Sequence, residues 1–223
     1  MNRLPWRLMA AGLVLAVLIS NIGSIVSDGL SLERLRSGVL RLHILANSDS
    51  DRDQQLKLAV RDSLLESGFF SGAENIAEAE EIAENNLSEA VRIAEDTLRK
   101  NGCGDRVSAE LADVEFDERA YGDITMPAGT YKALRIKIGR AEGHNWWCVM
   151  YPPLCLPAAC GADSRKKEYT EQDKDAVEEC FDKKQLDMLC RPRRYKVRFA
   201  IWDKLKELLE EDVVQNDKNK ETP

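Results

Sequence analysis

The stretch Gly143-His144-Asn145-Trp146-Trp147-Cys148-Val149-Met150-Tyr151-Pro152-Pro153-Leu154-Cys155 constrains the fold most. It holds two of the four tryptophans and two of the six cysteines of the chain. Trp146 and Trp147 are adjacent, so on a strand they point to opposite faces of a sheet. At least one must cover a core, while the other meets a second layer, a partner or water. Pro152-Pro153 ends the strand, because neither residue can donate a ladder hydrogen bond. The turn then brings Cys155 back towards Cys148.

The N-terminus points to a compartment. Arg3 and Arg7 precede an unbroken apolar run from Leu8 to Ile19. That pattern reads as a secretory leader. Extended without charges to Ser27, the run reaches roughly 28 Å as a helix, just enough for a hydrocarbon core. Ser20, Gly23, Ser24 and Ser27 supply small residues, but no Ala-x-Ala cleavage site occurs. Residues 1–27 are therefore expected to be a signal peptide or signal anchor. If uncleaved, residues 8–26 contact the membrane and the remainder lies outside.

Export changes the meaning of the cysteines, since an even number outside the cytoplasm suggests disulfides. Cys148 and Cys155 are the best candidates, and closing so small a loop contributes about 2.5 kcal/mol in the chain-entropy model. The other four, Cys103, Cys160, Cys180 and Cys190, have no assigned pairing. No C-x-x-C occurs, and only two histidines, His43 and His144, are present. Neither a metal site nor a cofactor is expected. A net charge of −7 argues against a nucleic-acid partner.

Val39 to Ala46 alternates Leu40, Leu42 and Ile44 against Arg41, His43 and Leu45, a strand with one strongly buried face. His43 falls on the mixed face as a satisfied structural histidine. Asn47-Ser48-Asp49-Ser50-Asp51 stops the strand and starts a helix, with Ser50 or Asp51 as its N-cap. A calcium loop on Asp49, Asp51 and Asp53 is excluded. Gln54 stands where glycine is required, and Val60 where glutamate is.

A helix follows from Asp53 to Ser67 with Leu56, Val60 and Leu64 as its stripe. A second runs from Asn75 to Lys100 with Ile76, Ala83, Leu87, Val91, Ala94 and Leu98 inward and an acidic, solvated face. Val107 to Phe116 reads as a strand with a bulge near Ala112-Asp113. Lys132–Ile138 and Trp146–Tyr151 read as a hairpin. Residues 160–194 read as a variable loop with a short helix from Ala176 to Leu189. Tyr195–Ile201 is a last strand or begins a helix running to Asp212. From Gln215 the tail is expected to be disordered.

Two chemistries compete. One is an exported envelope hydrolase with Cys148 as nucleophile and His144 as its base. On a regular strand these residues share a face but stand some 13 Å apart. The other is a binding or signalling module that uses the Trp-Trp strand and the Pro-Pro turn as rigid anchors. Its candidate partner-contacting residues are Asn145, Trp146, Trp147, Pro152 and Pro153, together with Asn47, Ser48 and Asp49. No catalytic residue is assigned.

Several motifs together resemble the stage II sporulation protein R family. They are Arg41-Leu42-His43-Ile44-Leu45-Ala46-Asn47-Ser48-Asp49-Ser50, Asp53-Gln54-Gln55-Leu56-Lys57, Val60-Arg61-Asp62 and Pro127-Ala128-Gly129-Thr130-Tyr131. Asn145-Trp146-Trp147-Cys148-Val149, Pro152-Pro153-Leu154-Cys155 and Lys196-Val197-Arg198-Phe199 complete the set. The resemblance implies a protein exported from the forespore into the space between the two sporulation membranes. There it would trigger a membrane-embedded aspartic protease of the mother cell, the stage II sporulation GA protease, which processes the precursor of sigma factor E. The expected architecture is a single α+β domain over residues 38–201. It has an antiparallel or mixed sheet with two long helices on one face, followed by a helix end and polar tail at 202–223.

Overall fold

The computed structural model describes residues 4–68, 72–121, 124–152 and 180–220. Its centre is a four-stranded mixed sheet of β1 (Leu40–Leu45), β2 (Val107–Phe116), β5 (Gly129–Ile138) and β6 (Asn145–Tyr151) in the order β2-β5-β1-β6. β1 runs parallel to β5 and antiparallel to β6, and β2 runs antiparallel to β5. Two short strands, β3 (Arg119–Tyr121) and β4 (Ile124–Met126), pair separately.

The strand order overturns the expected β5–β6 hairpin. β1 inserts between them, so Trp147 faces His43 across the ladder and not a residue of β5. Local pattern could not show this, because the third strand comes from far earlier in the chain. The bulge in β2 is also absent. Val107↔Ile138 through Phe116↔Gly129 is a continuous register. The apolar set changes sides because Val107, Ala109 and Leu111 serve one core while Val114 and Phe116 serve the other.

Both faces of the sheet are covered. On one face, α2 (Asp51–Glu66), α3 (Ile76–Asn85) and α4 (Leu87–Lys100) pack over Leu40, Leu42, Ile44, Leu134, Ile136 and Cys148. The expected stripe of Leu56, Val60 and Leu64 is buried there, and Ser50 caps α2 by accepting from the Asp53 amide. The second helix is not one long rod. Asn86 divides it, its side-chain amide donating to the Ile82 carbonyl and closing α3 before α4 begins. Ala79, Ala83, Ala90 and Ala94 are small enough to bring both pieces close to the sheet.

The opposite face carries Arg41, His43, Tyr131, Ala133, Trp147 and Val149. It packs against Leu35 of α1 (Leu4–Ser37), Met126 of β4, and Leu189 of α5 (Lys183–Cys190). Among the described residues, no helix is long and apolar enough to cross a membrane. The last element, α6 (Pro192–Lys220), decides between the two expectations for Tyr195–Ile201 in favour of the helix, which runs past Asp212. It also carries the backbone helical through 215–220, where a disordered tail was expected. Its Tyr195 and Phe199 stack on each other and pack with Leu32 and Met188. Residues 153–179, with Pro153, Cys155 and Cys160, lie outside the described residues, as does the start of the expected helix from Ala176; its later part forms α5 from Lys183.

Candidate functional site

Two loops at one end of the sheet are zipped together by groups from the expected motif. The β1–α2 loop supplies Asn47, Ser48 and Asp49; the β5–β6 loop supplies Gly139 to His144. The Gly143 amide donates to the Ala46 carbonyl and the Glu142 amide to the Asn47 carbonyl, at 3.0 and 3.3 Å. The Arg140 amide donates to Asn47 Oδ1 at 3.0 Å, while Asn47 Nδ2 donates to Asp53 Oδ2 at 2.9 Å. The Ser48 hydroxyl donates to the same Asp53 oxygen at 2.6 Å. Accepting from Ser48 first and then Asn47 holds the Asp53 carboxyl below its ordinary pKa.

Close approach explains two glycines. A Cβ on Gly143 would collide with the Ser48 carbonyl, and one on Gly139 with the Asn47 amide. Gly139 also has φ +56°, which disfavours any other residue.

His144 turns towards Asp49. Its backbone amide donates to Asp49 Oδ1, and its Nδ1 lies 2.6 Å from the same oxygen. These contacts, the backbone bond foremost, lower the Asp49 pKa. Behind the pair lies Lys57, which the sequence placed in a motif without a role. It is buried on α2 and its Nζ donates to the Gln54 side chain and to the His144 and Asn145 carbonyls, the last two at 2.9 and 3.4 Å. Burial, set against attraction from Asp49, lowers its pKa. Its traces in the sequence are its place at the end of the Asp53–Lys57 motif and directly beside the Leu56–Val60–Leu64 stripe.

The structure therefore unites five of the expected residues, Asn47, Ser48, Asp49, Asn145 and Trp146, in one neighbourhood. Trp146 is half-buried on the helix-covered face, with the Arg61 guanidinium 4.4 Å from its ring centroid. Trp147 is separated from them by the sheet itself, as adjacent strand residues require. It stacks on Phe116 at 5.3 Å beside Arg41, whose guanidinium carbon lies 4.0 Å from the Phe116 centroid and 5.2 Å from Trp147. Pro152 is buried just past the end of β6 and Pro153 lies outside the described residues. The strand does stop at Tyr151, as the proline pair demands.

His43 departs from expectation. It is buried, as a structural histidine should be, yet neither ring nitrogen has a hydrogen-bond partner among the described residues. Its ring stands edge-on to Phe116, with centroids 5.6 Å apart. Burial, reinforced by Arg135 and Arg41, lowers its pKa to about 4.

No nucleophile–base pair forms from Cys148 and His144. Cys148 is fully buried on the helix-covered face, so it presents no accessible nucleophile. His144 is committed to Asp49 in the exposed loop. A pair between Cys148 and Cys155 falls on residues not described. Cys103 is a free, half-buried thiol whose pKa burial pushes up, the opposite of an activated nucleophile. No group of three or more acidic, histidine or cysteine side chains among the described residues could hold a metal ion.

The family model for stage II sporulation protein R matches residues 36–160, from the end of α1 through the sheet. Among curated proteins, the stage II sporulation protein R of Bacillus subtilis (strain 168) is 37% identical over 146 residues. That match covers 64% of this chain and 65% of the relative, just under two thirds of its length. No solved structure matches. The matched span contains both zipped loops, the two tryptophans and the buried Arg41–His43 row. On that extent of agreement, the chain belongs to the stage II sporulation protein R family, a family of sporulation proteins.

Proposed function

We propose that the chain is an exported sporulation signal that activates a membrane-embedded aspartic protease of the mother cell. Processing of the sigma factor E precursor follows from that activation. In this reading residues 1–27 carry export or anchoring, and the protein acts from the space between the sporulation membranes. The family supports it, and so does the zipped pair of loops. That crest presents an exposed Asp49–His144 pair beside the Arg61–Trp146 stack, on a foundation fixed by Asp53 and Lys57. Rigid polar loops flanked by an aromatic are suited to being recognised. They hold no group activated for bond cleavage. The competing hydrolase needs an accessible Cys148 thiolate, and this cysteine is fully buried.

The test is co-expression of the full chain with the stage II sporulation GA protease and the sigma factor E precursor, in a cell without other sporulation proteins. Precursor cleavage is expected with the chain and not without it, and is expected to fall in Asp49→Ala and Trp146→Ala variants that still fold. Cleavage that ignores the chain overturns the reading. So does purified chain that hydrolyses peptide or glycan by itself.

A further inference from the structure

α1 and α6 lie side by side outside most of the family match, and their contacts ascend together. Asp28 pairs with Arg198 at 2.5 Å and Lys184 at 2.8 Å. Glu33 accepts from Trp202 Nε1 at 3.3 Å and pairs with Lys206 at 3.0 Å. Arg36 pairs with Asp203 at 2.7 Å. The indole of Trp202 lies where a Cβ on Gly29 would sit, so the two backbones approach closely. The helices therefore run in the same direction. Leu32, Tyr195 and Phe199 turn towards Met188 of α5 and the body of the domain.

The other side of this pair is apolar and uncovered among the described residues. On α6, Val197, Ile201, Leu205 and Leu208 are 70%, 45%, 40% and 48% exposed. Their spacing of three or four residues makes one stripe. On α1, Ile19, Ile22, Val26 and Leu30 are exposed at the same kind of spacing. At about 100° per residue, and with the helices parallel, both stripes fall on the side away from α5. By the same spacing, exposed Arg193 and Lys204 line one edge of the α6 stripe and Arg194 lies within it; Arg194 also reaches Asp187 at 3.4 Å and Lys204 reaches Glu207 at 2.8 Å. An apolar stripe edged with basic residues is the pattern of a helix lying in a lipid–water interface. The α1 stripe continues it towards the apolar run of the N-terminus.

We propose that this side of the α1–α6 pair rests on an anionic bilayer. Val197, Ile201, Leu205 and Leu208 enter the interfacial layer, and Arg193, Arg194 and Lys204 meet lipid phosphates. The domain is thereby held with a fixed side against the membrane. The inference stands on these two helices and does not depend on protease activation.

The test places the photoreactive residue p-benzoylphenylalanine at Leu205 of the full chain. The chain is mixed with phosphatidylcholine vesicles with or without phosphatidylglycerol, and lipid adducts are measured by mass spectrometry. The same residue at exposed Glu81 of α3 is the control, because a tether through α1 alone would bring both positions near lipid. Adduct at Leu205 is expected to exceed that at Glu81 by about tenfold in the anionic vesicles, and to fall by a similar factor in R193E/K204E, which leaves the Arg194–Asp187 pair in place, given the attraction of each basic residue to such a surface. Unchanged circular dichroism and melting keep the variants interpretable. Equal yields at Leu205 and Glu81 overturn the proposal. So does equal yield with and without phosphatidylglycerol, or adduct between two copies of the chain in place of lipid. No protease is present, so failure here leaves the activation reading untouched.

Discussion

His43 makes the stability of this domain depend on pH in a window that few other groups share. In the fold its pKa is lowered from 6.5 to about 4, first by burial and then by Arg135 and Arg41. The unfolded chain therefore binds the additional proton between those two values. Stability is complete above the unfolded pKa and is lost as pH falls towards the folded one. The full shift corresponds to about 3 kcal/mol, with about 1 kcal/mol gone by pH 6 and about 2 kcal/mol by pH 5. His43 is only 5% exposed, so solvent screening takes little from this figure. His43→Leu removes the titration and keeps an apolar group against Phe116. Urea unfolding followed by tryptophan fluorescence at pH 7, 6 and 5 should show the wild-type chain losing stability relative to the variant by those amounts. The carboxyls of Asp28 and Asp53 have lowered pKa values and lose their contributions at more acidic pH, so the difference between the two curves isolates the imidazole. Parallel curves for the two proteins would refute the argument, because they would mean that His43 takes up its proton inside the fold as readily as outside it.

Three further perturbations have definite outcomes. Lys57→Met removes the buried donor to the His144 and Asn145 carbonyls and should cost about 2 kcal/mol in urea unfolding, with faster amide exchange at the start of β6; no loss would mean that the latch contributes nothing. Gly143→Ala should separate the two zipped loops through its clash with the Ser48 carbonyl, lowering the melting temperature and reducing precursor cleavage in the co-expression assay, whereas Ala141→Gly, at a φ of +56° that suits glycine, should lower neither. Arg61→Ala exposes the Trp146 ring and should cost about 0.5 to 1 kcal/mol, with a red shift in tryptophan emission as the check.

The sequence was most informative where structure is local. Ser50 as a cap, the Leu56–Val60–Leu64 stripe and the stop at Tyr151 all follow from neighbours a few residues apart. The opposed orientation of Trp146 and Trp147 follows from the pleat alone. Reading failed where distant segments decide. The adjacency of β5 and β6 in sequence suggested a hairpin, but β1 has an edge for each of them and occupies the place between. The side-switch in β2 looked like a bulge because two cores, not one, claim its residues. The division of the acidic helix at Asn86 was missed, although the Asn85-Asn86 pair was its signal, since asparagine competes for backbone groups. The union of Asn47, Ser48 and Asp49 with Asn145 and Trp146 needed the tertiary fold, although Gly139 and Gly143 already marked a loop of tight backbone.

The central position of β1 has a consequence for when this protein can become itself. Leu40–Leu45 emerges early, yet the strands that flank it begin at Gly129 and Asn145. Until those segments arrive, both edges of the strand remain open and the chain has no sheet to assemble upon. Such distant pairing is slow, because a long loop must close before any contact rewards it. A polypeptide built this way stays open while its first third is being made, and acquires its shape only once its latter half has followed.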